Sequence, residues 1–330
     1  MEMRSHKHRK KMSRRKKVMW IVSSIALALL LIGGGYFLHI YMNVQETVNE
    51  MHKPLDRDTS LEQKEQLENV LKNKEAINFL LLGVDERTND DGRSDTMIFA
   101  SLNPDTESVL MFSIPRDTYV TIPGREGKDK INHAYAFGGV DLSVATVENY
   151  LDVPIHFYSK VNMEGFSDGV EAVGGVTVQN DFYFEYDGYQ FNEGEIELNG
   201  DQALSYSRMR YDDPRGDFGR TERQRKVIQA ALDKMVSFNS VGKITNVLDV
   251  VGDNVQTNLD MSQMRNLLSN YAGARKSIES LEFNGNGQRI NNIWYLVVPD
   301  EELNRIQGEI ESHSQTGTET ENASGDQNSE

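Results

Sequence analysis

A chain of 330 residues with 51 acidic against 35 basic side chains, a formal net charge of −16, is long enough for a sizeable core and too acidic to be a general nucleic-acid binder. It contains no cysteine, which excludes disulfides, thiol nucleophiles and cysteine-bound zinc. Its seven histidines form no cluster with zinc-ligand spacing: His6, His8 and His313 lie in terminal stretches and His39 at the edge of an apolar run.

Residues 1–17 carry nine Lys or Arg against one Glu, and Val18 to Leu38 is an uncharged, largely apolar run of 21 residues. At about 1.5 Å per residue such a run spans roughly 30 Å as a helix, the hydrocarbon thickness of a bilayer. A cleavable signal peptide has a shorter apolar region ending in small residues, whereas this run continues through Tyr36, Phe37, Ile40, Tyr41 and Met42. Residues 18–42 therefore read as an uncleaved single-pass anchor in the cell membrane. The positive-inside rule keeps residues 1–17 in the cytoplasm and puts everything after about residue 43 outside. Residues 43–75, with EQKEQLENVLKNKE, read as a helical stalk.

Ile77 to Asp85 (INFLLLGVD) is almost continuously apolar, as expected of a strand covered on both faces. Residues 86–95 read as a loop, and Thr96–Leu102 and Glu107–Ile114 as two strands joined by the turn Asn103-Pro104-Asp105-Thr106. The second of these ends in charge at Pro115-Arg116-Asp117. In open α/β sheets ligands sit beyond the carboxyl ends of strands, where Asp85, Arg87, Arg116 and Asp117 would fall. KINHAY (Lys130–Tyr135) and Gly138-Gly139 lead into a helix near Asp141–Leu151. A strand at Ile155–Val161, a helix at Met163–Val173 and strands at Val176–Val178 and within Phe182–Phe191 follow. Gly200–Tyr206 reads as helical, as do Arg220–Phe238, 241–252 and 261–272. Strands at Ile278–Phe283 and Ile293–Val298 and a helix through Ile310 come last, before a polar tail, 313–330, that reads as disordered. Mixed strands and helices with no break in composition favour a single α/β domain over 76–312.

Joining the predicted helices Gly200–Tyr206 and Arg220–Phe238 is YSRMRYDDPRGDFGRTERQRK, Tyr206 to Lys226, with Arg208, Arg210, Arg215, Arg220, Arg223 and Arg225. A helix starting near Asp217 puts Arg220, Arg223 and Gln224 on one face, and an extended segment would put Arg208 and Arg210 on one side. Guanidinium forks near a helix N-terminus suit a phosphate or diphosphate. The same arginines could equally be neutralised by Asp212, Asp213, Asp217 and Glu222 on a solvated helix.

Gly165-Phe166-Ser167-Asp168-Gly169 matches a nucleophile elbow, but the only later histidine is His313 in the tail, so the glycines read as strand-to-helix turn residues. In NDDG, Gly92 at the sixth position would make Arg87 and Ile98 end ligands, which excludes an EF-hand. Asp85 and Asp95 flank one loop and either hold Mg²⁺ with phosphate oxygens or merely solvate and cap strand ends.

FLLLGVDER, GRSDTMIF, SIPRDTYV, KINHAY, LNGDQALSYSRMR and DFGRTERQRKVI, in this order behind one apolar segment, closely resemble the LytR-CpsA-Psr family over about residues 76–300, with stalk and tail outside. The resemblance implies a single extracytoplasmic α/β domain with a central mixed sheet flanked by helices. It also implies transfer of an undecaprenyl-diphosphate-linked anionic glycopolymer, usually wall teichoic acid, to the muramic acid C6 hydroxyl of a peptidoglycan glycan strand. It places Arg87, Arg93, Arg116, Lys130, Arg208, Arg210, Arg220, Arg223 and Gln224 around the diphosphate and Mg²⁺ (or Mn²⁺) on Asp85 and Asp95. Arg116, Asp117, Arg208, Arg210 and Asp213 become the catalytic residues, with Asp117 or Asp213 as general base. A polyprenyl diphosphate hydrolase is the alternative. A membrane-bound regulator of transcription fits less well, because a 17-residue flank is too short for a DNA-binding domain.

Overall fold

The computed structural model describes residues 14–85, 92–236, 247, 250, 252 and 254–315. Its centre is a six-stranded sheet in the order β11-β6-β1-β2-β3-β12. The strands are β1 (Ile77–Val84), β2 (Ser94–Asn103), β3 (Ser108–Ser113), β6 (Phe157–Asn162), β11 (Val255–Thr257) and β12 (Ser277–Leu281). The pairs β1–β6 and β3–β12 run parallel, while β1–β2, β2–β3 and β6–β11 run antiparallel, so the sheet is mixed.

Alternation along the strands feeds two cores. Leu80, Leu82, Met97, Phe99, Leu110 and Phe112 face one side with Val144, Val147 and Leu151 of α3 (His133–Leu151) and Ile306 and Ile310 of α8 (Asp300–Gln315). Phe79, Leu81, Ile98, Ala100, Met111 and Ile278 face the other, against Ile228 of α6 (Asp217–Val236). Both faces are covered, which is why β1 is a continuous apolar run rather than an alternating one. A third cluster joins α4 (Met163–Ala172), α5 (Gly200–Arg208) and α6 to the small hairpins of β7 (Val176–Asn180) with β10 (Gly194–Leu198) and β8 (Phe184–Tyr186) with β9 (Tyr189–Phe191).

Several boundaries differ from the sequence expectation. The helix predicted from Asp141 begins at His133 and runs through a break at Gly138 and Gly139. The predicted stalk belongs in large part to the domain, whose compact unit starts at Thr47. Leu55 lies in the main core, and Leu71 of α2 (Leu61–Asn73) packs with Ile77, Phe157 and Tyr271. The sparse apolar stripe Leu67, Val70, Leu71, at helical spacing in a polar segment, carries that contact. The predicted tail also starts too early. His313 is buried in α8, its ring 3.0 Å from Ser108 Oγ and 3.2 Å from Ser101 Oγ, while Ser167 Oγ donates to Asp201 (3.2 Å), so no hydrolase triad forms. The predicted helix over 241–252 falls mostly outside the described residues, as do 316–330, 1–13 and the loop with Arg87. Among the described residues no helix is long and apolar enough to cross a membrane, and the predicted anchor includes side chains outside that set, at 18, 21–26 and 28.

His156 gives the domain a pH dependence. Burial, with Arg57 nearby, lowers its pKa from 6.5 to about 4, and its Nδ1 accepts from Asn78 N (3.0 Å), a bond only the unprotonated nitrogen can make. The unfolded chain binds this proton first. The neutral ring therefore stabilises the fold fully above pH 6.5 and loses about 3 kcal/mol as pH falls to 4. Urea unfolding at intervals across that window should show the decline, and His156→Gln should flatten it; an unchanged slope in the variant would assign the decline to other groups.

Candidate active site

The site assembles where β1 and β3 end. Val84 pairs with Ser94 across a register shift, so Asp85, just after β1, and Asp95, in the first residues of β2, occupy the same end of the sheet. From the end of β3 the chain turns through Pro115, with Thr118 N and Oγ1 both donating to Pro115 O (3.0 and 2.6 Å). This turn aims Arg116 back at the sheet, where its Nη1 donates to Asp95 Oδ1 (2.7 Å). It also sets Asp117 beside β5 (Lys128–Lys130), where Lys130 Nζ donates to Asp117 Oδ1 (2.5 Å).

The arginine stretch supplies the facing wall. After α5 ends at Arg208, Met209 is extended (φ −57°, ψ 135°) and buried, so the chain turns there, with Arg208 exposed and Arg210 half-buried. Arg210 Nε lies 3.6 Å from Asp217 Oδ1, and Arg220 Nη2 lies 2.9 Å from the same oxygen. The second approach is an ion pair whose angle is too poor for a hydrogen bond. Buried Arg220 Nε and Nη2, Asp217 Oδ1, Gln224 Oε1 and Ser207 Oγ thus have no hydrogen-bond partner among the described residues. Groups so buried need partners.

The charges around these atoms do not balance. Burial, and the like charges of Arg116 and Arg210, draw the pKa of Arg220 below the ordinary arginine value despite Asp217 and Asp95. For Arg116 burial also opposes the charge, but the hydrogen bond to Asp95 and the charges of Asp95, Asp217 and Asp117 outweigh it and raise its pKa. Guanidinium groups stay protonated in either case. Arg116, Arg210, Arg220 and Lys130 thus share three carboxylates, Asp95, Asp117 and Asp217, and two buried Arg220 nitrogens keep no hydrogen-bond partner among the described residues. That surplus is suited to an anion, and α6, whose first turn adds free N–H groups, opens there.

Of the predicted site residues, Asp85, Asp95, Arg116, Asp117, Lys130, Arg210, Arg220 and Gln224 are placed on these converging segments. Arg208 and Arg93 are exposed and form no ion pair or side-chain hydrogen bond among the described residues, and Arg87 lies outside them. Arg223 and Asp213 need correcting. Their side chains are 3% and 0% exposed and bond to each other, Nη1 to Oδ2. Arg223 Nε donates to Tyr206 O (3.1 Å) and Nη2 to Met209 O, while Asp213 Oδ1 accepts from Arg215 N (2.8 Å). This pair holds the α5–α6 connection together, with Nε, Nη1 and Nη2 of Arg223 all engaged inside the protein and the Asp213 carboxylate buried, a structural role rather than that of a phosphate ligand and a base. Gly219 is part of the same construction, since a Cβ there would lie 1.8 Å from Asp213 Oδ2.

Arg215 forms the expected exposed network, with Glu222, Asp181 and Asp213. Arg225 is partly buried, donates to Ser113 Oγ (2.8 Å) and lines a cleft of about 210 Å³ next to the cluster. The cleft also contains Asp117, Arg210, Asp217, Phe218 and Trp294.

The donor set also bears on a metal. Among the described residues no three His, Asp or Glu side chains converge. Asp85 and Asp95 at one sheet end, with Asp95 shared with Arg116, fit a hard cation that completes its shell with phosphate oxygens and water, as Mg²⁺ does.

Known proteins share both the sequence and this arrangement of elements. The chain is 53% identical over 308 residues to the polyisoprenyl-teichoic acid–peptidoglycan teichoic acid transferase TagU of Oceanobacillus iheyensis, covering 92% of this chain and 96% of that protein. It superposes on the crystal structure of B. subtilis TagU with a TM-score of 0.61 at 44% identity, covering 73% of this chain and 97% of that one. A structure described as TagT bound to LI-WTA gives a TM-score of 0.65 at 29% identity, over 80% and 99% of the two chains. A profile of the LytR_cpsA_psr family matches residues 38–312, taking in much of the segment expected to lie outside it as a stalk. With that span matched, and the sheet-end cluster built from the same motifs, the chain belongs to the LytR-CpsA-Psr family.

Proposed function

We propose that this protein transfers a teichoic-acid-type anionic glycopolymer from undecaprenyl diphosphate to the C6 hydroxyl of muramic acid in peptidoglycan. The observation that carries the reading is the cluster of Arg116, Arg210, Arg220 and Lys130 around three carboxylates, in which two buried Arg220 nitrogens have no hydrogen-bond partner among the described residues. The diphosphate sits at that cluster, with Arg220 Nε and Nη2 donating to its oxygens. Arg220, Gln224 and Ile228 recur every four residues on α6, so the same helical row leads from the phosphates to half-buried Phe79, Leu81 and Ile278 on the sheet. An isoprenoid chain attached to the diphosphate has an apolar surface to follow.

The acceptor hydroxyl attacks the phosphorus that bears the polymer's first sugar. A new O–P bond forms, the P–O bond to the bridging oxygen breaks, and undecaprenyl phosphate leaves. Asp117 takes the hydroxyl proton, and Lys130 fixes the orientation of its carboxylate. Arg116 and Arg220 stabilise the charge spread over the phosphoryl oxygens at the transition state. Asp85 and Asp95 would hold Mg²⁺ or Mn²⁺, which when bound neutralises phosphoryl charge. The anchor over 18–42, with residues 1–17 in the cytoplasm and the domain outside the cell membrane, is supported by the basic flank and apolar run of the sequence. It would keep enzyme and lipid substrate on one surface.

Incubating the full chain in vesicles with lipid-linked polymer and nascent peptidoglycan tests the reading. Polymer should become covalently attached to glycan with release of undecaprenyl phosphate, and release should fall sharply without acceptor. Release that ignores the acceptor would make the protein a diphosphate hydrolase instead. Chelation by EDTA should lower transfer at least tenfold, with recovery on adding Mg²⁺, and Asp85→Ala should mimic it; full activity after chelation would remove the metal.

A further inference from the structure

The geometry points to a subsite for the acceptor sugar in the cleft beside Asp117, an N-acetylhexosamine ring resting on the indole of Trp294; this rests on the transfer reading above. The cleft is about 210 Å³ and combines an apolar wall, Phe218, Phe283, Trp294 and Leu296 among it, with charged groups at its edge. Apolar surface with a few placed polar groups is how small-ligand sites are built. A pyranose ring, with C–H faces and a hydroxyl rim, has the matching chemistry.

The platform is built rather than incidental. Trp294 belongs to β14 (Ile293–Val297), paired with β13 (Asn286–Ile290), and its indole packs over Gly287 so closely that a Cβ there would lie 2.1 Å from the ring. A glycine covered by a cross-strand aromatic holds the ring in place. Trp294 is nonetheless 49% exposed, and Phe218, also lining the cleft, is 41% exposed. The hairpin is tied to the reacting end of the site. Leu296 N donates to Asp117 O (2.8 Å), and Tyr295 packs on Tyr119 with ring centroids 4.7 Å apart. A sugar on Trp294 is therefore positioned by the same backbone that carries the base.

Charge separates the acceptor from the donor polymer. The cleft is lined by four carboxylates, Asp117, Asp217, Glu222 and Glu282, against three guanidinium groups, Arg210, Arg215 and Arg225. Arg215 is ion-paired with Glu222, Arg210 lies near Asp217, and Arg225 donates to Ser113. A chain of repeating phosphates gains nothing here, whereas hydroxyl and acetamido groups find both donors and acceptors.

Two measurements on the full chain test this. In the transfer assay, Trp294→Ala should raise the KM for acceptor glycan about tenfold and leave the KM for lipid-linked polymer unchanged, while Trp294→Phe should recover most of the loss. An unchanged acceptor KM would overturn the proposal, and a raised donor KM would reassign the cleft to the polymer's first sugar. The second measurement needs neither catalysis nor loss of Trp294. The chain has two tryptophans, so Trp20→Phe leaves Trp294 as the sole indole. Titrating that variant with soluble, peptide-free peptidoglycan glycan fragments should shift its emission saturably; no shift would count against the platform. A saturable shift in a protein that fails to transfer polymer would instead keep the sugar site and refute the transfer reading.

Discussion

Arg220→Ala should lower kcat/KM for polymer transfer by about 10²- to 10³-fold, the cost of removing one preorganised donor from developing phosphoryl charge. The residue is buried, adjoins Arg116 and Arg210, and has two nitrogens without hydrogen-bond partners among the described residues. Its burial costs the unliganded fold something, so the melting temperature should stay level or rise slightly. Arg220→Lys should recover little, because one ammonium cannot serve two oxygens as a planar fork does. Activity within tenfold of wild type in Arg220→Ala would move the phosphates elsewhere. A large drop in melting temperature would make Arg220 a structural residue.

Arg223→Ala should behave in the opposite way. It leaves buried Asp213 with only the more distant, exposed Arg215 as counter-ion (3.7 Å) and Tyr206 O and Met209 O without the Arg223 donor, a loss of about 3–5 kcal/mol by the usual cost of breaking a buried pair. Urea unfolding reads this directly, and Gly219→Ala should show a related loss because its Cβ would collide with the Asp213 carboxylate. Transfer should fall only as far as the folded fraction falls. If Arg223→Ala keeps wild-type stability and still loses transfer, Arg223 belongs among the phosphate ligands and the assignment above fails.

These two arginines show what the sequence can and cannot tell. On a helical wheel residues 220, 223 and 224 share one side, and nothing local says which of them meets another element. Tyr206 and Met209 at the end of α5 decide it, by offering carbonyls to Arg223 alone. The end of the sheet was easier to read. Asp85, Arg116 and Asp117 follow apolar runs that stop abruptly, and strand ends leave few places for a side chain to go. Asp95 needed only the return of one hairpin. Trp294 was hidden because its importance comes from Gly287 on the neighbouring strand and from a backbone bond to Asp117, contacts with no local signature. The polar segment before β1 concealed its role for another reason: three apolar side chains in α2 are enough to dock a helix whose other faces are wet.

The row formed by Arg220, Gln224 and Ile228 makes α6 a ruler as well as a wall. Four residues advance a helix by about 6 Å, so the spacing between headgroup recognition and the apolar sheet face is fixed by the backbone repeat rather than by side-chain reach. A single residue inserted between Arg220 and Ile228 would turn one end of that row by about 100° relative to the other. Each half could keep its own contacts, yet no lipid could use both at once.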